Sequence, residues 1–408
     1  MEQHIPGIVL KDGLTQPVFD YKRCLFEKVY VETPVDTDGD GRLDLIAVYI
    51  RRPLETTQGM RVPAIYVANP YMLECNEDWY VPHDVDRDVS PYPQQHITES
   101  DITFDPSTVS FPQPRYPRAT VGYADTAPTE EIPLDCISDW YSYFNSRGYA
   151  SVFCGGLGTR GSQGFNCCGS PEETAAFKAV IDWLNGRCRA FTNLTDNIEI
   201  RADWCTGKVA MSGKSYLGTM CIAVASTGVE GLETIIPEAA ISNWYDYYRC
   251  NGLNLPAIGW QGDDLDILAK YCFSRAKDPE DYASVREAYA AWLEGIAADE
   301  DRDSGNYSRW WDMRNYLKAA DRFKASVFLV HGLADWNVKP THCVNLFAAM
   351  ESRGIPCKMM LHQGGHIYIH DLQGSRFNEM LHLWLDHWLY GIENGAAERI
   401  PNVLVQSN

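Results

Sequence analysis

A serine near the middle of the chain stands in a pattern typical of nucleophilic catalysis. Residues 209–211 are a short apolar run that predicts a buried strand, and residues 216–225 predict a helix packed along one face. Ser215 lies at the corner between them, shortly after Gly213. Such a corner strains the serine and aims the following backbone N–H at a developing oxyanion. The pattern therefore predicts Ser215 as a nucleophile and the N–H of Tyr216 as an oxyanion donor.

This corner departs from the usual spacing at one position. The general pattern is Gly-x-Ser-x-Gly, whereas here Leu217 occupies the place of the second glycine and Gly218 follows it. A Gly-x-Ser run is also common by chance, so an ordinary strand-to-helix turn is the alternative. The rest of the chain has to distinguish the two interpretations.

An acid and a histidine follow later strands in the order that a catalytic triad needs. The predicted strand 326–331 leads into Asp335, and the predicted strand 357–362 leads into His366. Ser, Asp, His is the chain order of α/β-hydrolases. In that arrangement His366 takes the proton of Ser215, while Asp335 fixes the histidine tautomer and stabilises the imidazolium.

Two other runs resemble metal sites, and neither is predicted to bind a metal. The histidines from His362 to His370 are spaced by four, which would need a helix, and the two glycines within the run disfavour one. The run from Asp36 to Gly41 resembles the start of a calcium loop. An EF-hand needs a bidentate Glu at its position 12, which here is Ala47 inside a predicted strand. A tight hairpin turn is the preferred interpretation.

A glycine-rich run after the predicted strand 149–154 resembles a dinucleotide site. Gly156, Gly158 and Gly161 form a literal Gly-x-Gly-x-x-Gly. A Rossmann turn needs a helix that opens at the third glycine, whereas the predicted helix here begins only at residue 172. No cofactor is therefore predicted.

Composition excludes several classes of partner. The formal net charge of −20 disfavours nucleic acid and anionic membranes, and it mildly favours a positively charged substrate.

Thirteen cysteines without a Cys-x-x-Cys pair indicate buried thiols rather than a disulfide framework. The N-terminus lacks the pattern of a signal peptide, and no apolar run approaches the roughly 18 residues of a membrane span. We expect a cytoplasmic protein.

The predicted elements indicate an α/β fold with a mostly parallel central sheet. Further strands are predicted over 26–33, 43–50, 62–68, 207–212 and 233–237, with helices over 135–147, 172–185, 340–352 and 374–389. Antiparallel strands come first and alternating strands and helices follow, which fits a sheet covered on both faces. Residues 72–133 predict a long surface excursion. Residues 240–320, helical over 281–294 and 309–319 and without clear strands, predict an inserted cap.

Three runs carry a resemblance to a known family. Gly213-Lys-Ser-Tyr-Leu-Gly-Thr, Ile241-Ser-Asn-Trp-Tyr-Asp-Tyr-Tyr-Arg and His331-Gly-Leu-Ala-Asp-Trp-Asn-Val-Lys-Pro closely resemble the X-prolyl dipeptidyl-peptidases of the S15 serine peptidases. The resemblance covers most of residues 25–400. It implies an α/β-hydrolase fold with a helical cap and the release of N-terminal X-Pro dipeptides. Peptides with proline at the second position are then the expected partners.

The resemblance also implies the roles of the catalytic residues. Ser215, Asp335 and His366 take the triad. Tyr71, which follows the third predicted strand, would donate its hydroxyl to the oxyanion beside the N–H of Tyr216.

The resemblance further implies a substrate pocket in the cap. The residues that would line the proline pocket are Trp244, Tyr247, Asn337 and Val338. One carboxylate of Asp263 and Asp264, with Asp263 preferred, would meet the α-amine of the substrate. Aromatic walls suit the rigid apolar proline ring, and a buried carboxylate recognises an ammonium group. Core packing in the cap is the alternative for the two aromatic residues.

The resemblance implies a division of the chain into parts. The α/β-hydrolase core comprises 1–239 and 321–395, and the helical cap comprises 240–320. Family members usually carry a C-terminal β-sandwich, so residues 396–408 are expected to start such a domain, cut short. Homodimer formation is a further expectation.

Two alternative functions remain open from the sequence. One is an esterase or acylase of the same family, resembling α-amino-acid ester hydrolase or cocaine esterase. The runs Trp-Tyr-Asp-Tyr-Tyr from Trp244 and Asp-Trp-Asn-Val from Asp335 favour the peptidase. The other alternative is an inactive binding module, because Leu217 departs from the general nucleophile pattern.

Overall fold

A mixed central sheet organises the protein. The structure, a computed structural model, describes residues 5–77, 97–130, 139–250, 253–254, 264–302, 304–369 and 376–406. The principal strands are β1 (Leu25–Glu32), β2 (Leu45–Arg52), β3 (Val62–Ala68), β4 (Ala150–Cys154), β5 (Cys205–Lys214), β6 (Leu232–Glu238), β7 (Ser326–Gly332) and β8 (Cys357–His362). Their order across the sheet is β8-β7-β6-β5-β3-β4-β2-β1. The pairs β1–β2 and β2–β4 are antiparallel, and the other neighbouring pairs among these eight strands are parallel.

The central strands are mostly buried because helices cover both faces of the sheet. Every residue of β2, β3, β4 and β7 is buried, as a sheet with two covered faces requires. The core on one face includes side chains of Phe177, Met220 and Leu346, and the core on the other face includes Phe144 and Trp384. The α/β-hydrolase fold predicted from the sequence is confirmed.

The helices are mostly short and surround the sheet. They are α1 (Glu99–Ile102), α2 (Asp139–Asn145), α3 (Pro171–Leu184), α4 (Tyr216–Ala225), α5 (Trp244–Tyr248), α6 (Leu265–Cys272), α7 (Pro279–Asp299), α8 (Arg309–Asp312), α9 (Thr341–Glu351), α10 (Phe377–Tyr390) and α11 (Ala396–Arg399). Within the described ranges, no helix combines the length and the apolar character that crossing a bilayer requires.

The cap segment, defined here as residues 239–325 between β6 and β7, contains α5 to α8. It differs from the sequence-based expectation in two details. Arg249–Cys250 and Leu253–Asn254 form a small antiparallel ladder where no strand was predicted. The predicted helix 309–319 is divided into α8 and a 3-10 segment at Tyr316–Arg322, because Asn315 has non-helical backbone (φ −102°, ψ 87°) and forms a bridge with Asn243. The proposed domain boundaries stay a prediction.

The two edges of the sheet carry short additional strands. Ala190–Phe191, Ile198–Ile200 and Gly122–Ala124 extend the sheet beyond β1. Val403–Val405 pairs parallel with β8 and therefore extends the opposite edge. The prediction that residues 396–408 start a truncated β-sandwich is not tested by this pairing and stays a prediction.

The Asp-rich run lies in the connection between β1 and β2. These strands pair antiparallel, with Leu25 opposite Arg52 at one end and Glu32 opposite Leu45 at the other. The predicted hairpin is therefore confirmed. Its connection, residues 33–44, is longer than the tight turn expected from the sequence.

Candidate active site

Ser215 occupies a strained corner between β5 and α4. Its backbone has φ 61° and ψ −125°, a conformation that non-glycine residues rarely adopt. The N–H of Ser215 donates to the carbonyl of Glu238 at 2.8 Å, which ties the corner to the end of β6. The helix α4 begins at the next residue, Tyr216. This is the geometry of a nucleophile elbow.

The close approach of strand and helix explains the unusual spacing of the glycines. A Cβ on Gly218 would lie 2.6 Å from the carbonyl oxygen of Gly213, and a Cβ on Gly213 would lie 2.4 Å from the Cβ of Leu217. Gly218 therefore occupies the crowded position next to the strand. In the general pattern, the glycine at this position stands one residue earlier in the chain. Leu217 fits because its side chain packs in a small core cluster.

Asp335 and His366 follow the neighbouring strands β7 and β8 and are hydrogen-bonded to each other. The Nδ1 of His366 lies 2.8 Å from Oδ2 of Asp335, whose side chain is fully buried. The other carboxylate oxygen of Asp335 accepts from the N–H groups of Asn337 at 2.9 Å and Val338 at 3.0 Å. An acceptor at Nδ1 selects the tautomer that leaves Nε2 free to accept a proton.

The loop that carries His366 is fastened to the elbow by two side chains that sequence reasoning missed. Glu238 accepts from the N–H of Ile369 at 2.9 Å, and Lys214 donates to the carbonyl of His366 at 3.4 Å. Nε2 of His366 is buried and has no hydrogen-bond partner in the described part of the chain, so its bond to the hydroxyl of Ser215 is not made here. The sequence signal for Glu238 was its position as an acidic residue at the end of β6, the strand beside β5, which leads into Ser215.

Tyr71 lies three residues after the end of β3, on the edge of the sheet that Ser215 also occupies. Its hydroxyl is buried and has no hydrogen-bond partner among the described residues. Burial raises the pKa of Tyr71 well above its ordinary value, so the hydroxyl stays protonated and can donate. Its ring meets that of Tyr216 edge to face, with centroids 5.8 Å apart.

A buried glutamate holds the side chain of Tyr216, and sequence reasoning did not identify it. The Tyr216 hydroxyl donates to Oε1 of Glu173 at 2.6 Å, and the N–H of Gly169 donates to the other oxygen. Burial raises the pKa of Glu173. The contact fixes the residue whose N–H is the expected oxyanion donor. Glu173 lies in the first turn of α3, after the N-cap residue Ser170. This position at the start of a helix was the sequence signal by which Glu173 could have been identified.

The four predicted pocket residues lie between the oxyanion side and the triad acid. The Trp244 ring meets Tyr216 edge to face at 5.2 Å and lies 6.2 Å from the ring of Tyr247. The hydroxyl of Tyr247 donates to Oδ1 of Asn337 at 2.6 Å, and Asn337 contacts Asp335 as described above. Trp244 and Val338 are fully buried. The structure thus groups these residues, and their contact with proline stays a prediction.

The structure describes one of the two predicted amine-binding aspartates. Asp263 lies outside the described residues. Asp264 is the N-cap of α6, and its fully buried side chain forms ion pairs with the guanidinium groups of Arg249 and Arg302. Its charge is therefore already compensated within the cap segment, which favours Asp263 as the residue facing the amine.

Comparisons with known proteins agree with this geometry. A family model described as X-Pro dipeptidyl-peptidase (S15 family) matches residues 38–368. The chain is 45% identical over 399 residues to the Xaa-Pro dipeptidyl-peptidase of Pediococcus pentosaceus, covering 97% of this chain and 49% of that protein. It is 44% identical over 407 residues to the Xaa-Pro dipeptidyl-peptidase of Lacticaseibacillus casei, covering 100% of this chain and 50% of that protein. The chain spans about half the length of the curated relatives it matches.

Solved structures show the same fold at low identity. An α-amino acid ester hydrolase is 17% identical with a TM-score of 0.51, over 94% of this chain and 57% of the other. A CocE/NonD family hydrolase from Staphylococcus aureus is 15% identical with a TM-score of 0.54, over 96% of this chain and 60% of the other. The family match over most of the chain and the 44–45% identity to these relatives show that the chain belongs to the S15 family of X-Pro dipeptidyl-peptidases.

Proposed function

We propose that this chain is a serine exopeptidase domain that releases N-terminal X-Pro dipeptides from peptides. The observation that carries the proposal is the Asp335–His366 hydrogen bond beside a strained Ser215, all at the carboxyl ends of parallel strands. The names of the relatives supply the substrate class. Because the chain spans only about half of those relatives, the activity is a proposal for this chain.

The mechanism follows from the positions of the triad. Nε2 of His366 takes the proton as Ser215 Oγ attacks the carbonyl carbon of the proline residue, and Asp335 stabilises the imidazolium. The oxyanion would accept from the hydroxyl of Tyr71 and the N–H of Tyr216. His366 then protonates the leaving amine, which gives an acyl-enzyme, and water activated by His366 releases the dipeptide.

Proline selectivity is assigned to the aromatic group beside the triad. The rigid ring of Trp244 lies against Tyr216 and near the ring of Tyr247, and the apolar side chain of Val338 is buried. Burial of a pyrrolidine ring against such walls is favourable, and the rigid ring loses no rotamer freedom when it binds. Nδ2 of Asn337 is buried without a hydrogen-bond partner in the described chain, which supports a role in contacting a substrate carbonyl.

The first experiment compares an Ala-Pro anilide with an Ala-Ala anilide, using the parent and Ser215→Ala. We expect the parent to cleave the Ala-Pro substrate preferentially and the variant to cleave neither. A fluorophosphonate should label the parent and leave Ser215→Ala unlabelled. Labelling with ester hydrolysis but no anilide cleavage would favour the esterase or acylase. Absence of both labelling and turnover would favour the binding module.

The second experiment tests recognition of the α-amine by Asp263. The amine has a pKa of about 8 and is largely protonated at neutral pH. A carboxylate facing it should favour a free over an N-acetylated Ala-Pro anilide by about 10–150-fold in kcat/KM. We expect Asp263→Asn to abolish most of this preference and Asp264→Asn to retain it. An unchanged preference in Asp263→Asn would place the amine contact elsewhere.

A cytoplasmic location and homodimer formation are part of the proposal. The location is supported by the thirteen cysteines, because none of the eleven that the structure describes is in a disulfide. Cell fractionation tests the location, and light scattering of the purified chain tests the dimer.

A further inference from the structure

Three carboxylates converge in the connection between β1 and β2, remote in sequence from the triad. Asp36, Asp38 and Asp40 alternate along the loop, and each offers one carboxylate oxygen to a group in which all the oxygens lie within 4.8 Å of one another. Clustered acids alone are common on protein surfaces, so the argument depends on what surrounds these.

Asp38 is buried with one carboxylate oxygen left unsatisfied. Its side chain is 5% exposed, and Oδ2 accepts from Nη1 of Arg275 at 2.8 Å. Oδ1 is buried and has no hydrogen-bond partner among the described residues. A buried carboxylate oxygen without a partner costs free energy. Since Asp38 belongs to the converging group, a cation at that group would satisfy this oxygen.

Other charged side chains surround the loop. A fourth acid, Asp44, is buried at the base of the loop, where Oδ2 accepts from the N–H and hydroxyl of Thr37 at 2.8 and 2.7 Å. The guanidinium of Arg275 that pairs with Asp38 is shared with Asp281. The guanidinium of Arg118, which also faces the loop, lies 3.6 Å from Glu32. Charged side chains of both signs therefore surround the three aspartates.

We propose that Asp36, Asp38 and Asp40 bind a calcium ion. Calcium takes six to eight oxygen ligands from carboxylates, backbone carbonyls and water in flexible geometry, whereas magnesium demands a tighter octahedron and keeps more of its water. The three acids stand at positions 1, 3 and 5 of a calcium loop, with Gly41 at position 6 and φ 84°.

The absence of an EF-hand glutamate does not exclude this ion. Position 12 of the loop is Ala47, which lies within β2, the strand that begins at Leu45. This residue is therefore part of the strand pairing of the hairpin. A hairpin-bound ion would complete its coordination with backbone carbonyls and water.

The ion would connect the hairpin to distant parts of the fold. The carboxylate of Asp38 also accepts from the N–H of Gly164 at 3.3 Å, in the glycine-rich loop after β4, while Arg275 belongs to the cap segment. The inferred role is therefore structural: calcium fixes a loop of the core that contacts the cap segment through Asp38 and Arg275.

Terbium luminescence provides a direct test, because Tyr116 lies against the loop. Its N–H donates to the carbonyl of Gly41 at 2.8 Å, and a Cβ on Gly41 would lie 2.9 Å from its ring. We would titrate chelator-treated full chain with Tb³⁺ under aromatic excitation and then compete with Ca²⁺ or Mg²⁺. We expect one saturable site that Ca²⁺ displaces at least tenfold more effectively than Mg²⁺.

The variants decide whether the signal comes from this loop. Asp40→Asn removes an exposed ligand and should weaken Tb³⁺ and Ca²⁺ binding at least tenfold while the chain still folds. The control Asp105→Asn, an exposed turn aspartate that accepts from the N–H of Ser107, should bind as the parent does. Calcium should also raise the Tm of the parent and of Asp105→Asn more than that of Asp40→Asn. No saturable signal, equal competition by Mg²⁺, or unchanged binding in Asp40→Asn would overturn the proposal.

Discussion

The active site and the cap segment both bury polar groups, and they differ in how these groups are satisfied. At the active site, Nε2 of His366 and the hydroxyl of Tyr71 are buried without hydrogen-bond partners in the described chain. In the cap segment, the carboxyl groups of Asp264 and Glu300 are equally buried, yet both lie within hydrogen-bonding distance of the guanidinium of Arg302. Groups of similar burial therefore differ in whether the protein supplies a partner for them.

The contrast between these four groups is that His366 and Tyr71 have no partner within the described chain, whereas the carboxyl groups of Asp264 and Glu300 already have one. An unsatisfied buried polar group costs about 1–3 kcal/mol, and a fold tolerates this cost where a ligand supplies the missing partner. A buried ion pair instead becomes strongly destabilising only when one member is removed. Substitutions at the active site should therefore change catalysis, whereas substitutions in the cap network should change stability.

The largest effect is expected from loss of the triad. Ser215→Ala and His366→Ala should each lower kcat by about 10⁴-fold or more, because each removes a group that acts on the reacting atoms. Turnover of an Ala-Pro anilide measures the effect, and urea denaturation should show stability close to that of the parent. Near-parental turnover in either variant would contradict the assignment.

Asp264→Asn should have its main effect on stability. The substitution removes a carboxylate that is ion-paired with the buried guanidinium of Arg249, which should cost about 3–5 kcal/mol of unfolding free energy. Urea denaturation measures this loss, with Asp278→Asn at the exposed start of α7 as the control. A stable Asp264→Asn protein that no longer distinguishes free from acetylated substrate would reverse the comparison and identify Asp264 as the amine site.

Tyr71→Phe should lower kcat by about 10²–10³-fold with little change in KM, because it removes one oxyanion donor. Tyr289 in the cap segment offers a matched control, since its hydroxyl is also buried without a hydrogen-bond partner among the described residues. Tyr289→Phe should leave kcat near the parental value. Equal effects of the two substitutions would show that Tyr71 acts through packing.

Glu300→Gln should have the smallest effect on catalysis, and its effect on stability should depend on pH. Burial, followed by repulsion from Asp264 and Asp266, raises the pKa of Glu300 to about 10. Since the unfolded value is about 4.3, the folded chain retains a proton that the unfolded chain releases, and this contribution to stability falls as pH rises between these values. Relative to the parent, Glu300→Gln should gain stability from about pH 5 to about pH 9. A relative loss in urea denaturation over this range would show that Glu300 is ionised in the folded state.

The fold could be predicted from the sequence where the signal is local. The strands β3 and β8 have the predicted bounds, and α3 differs from its predicted range by one residue at each end. The departure at Leu217 was ambiguous in the sequence, because only the packing of Gly218 against β5 and β6 shows which glycine relieves the crowding. Residues 309–319 were mispredicted since a bridge between Asn243 and Asn315 interrupts their helical pattern.

The sequence by itself determined the strand order along the chain, the elbow at Ser215 and the succession of acid and histidine, because each depends on residues close together in the chain. Only the tertiary structure decided that Asp264 is neutralised by Arg249 and Arg302, and that Glu173 holds Tyr216. The physical reason is that the state of a buried charge depends on partners brought together by packing, and a sequence pattern does not record which distant side chain will lie within hydrogen-bonding distance.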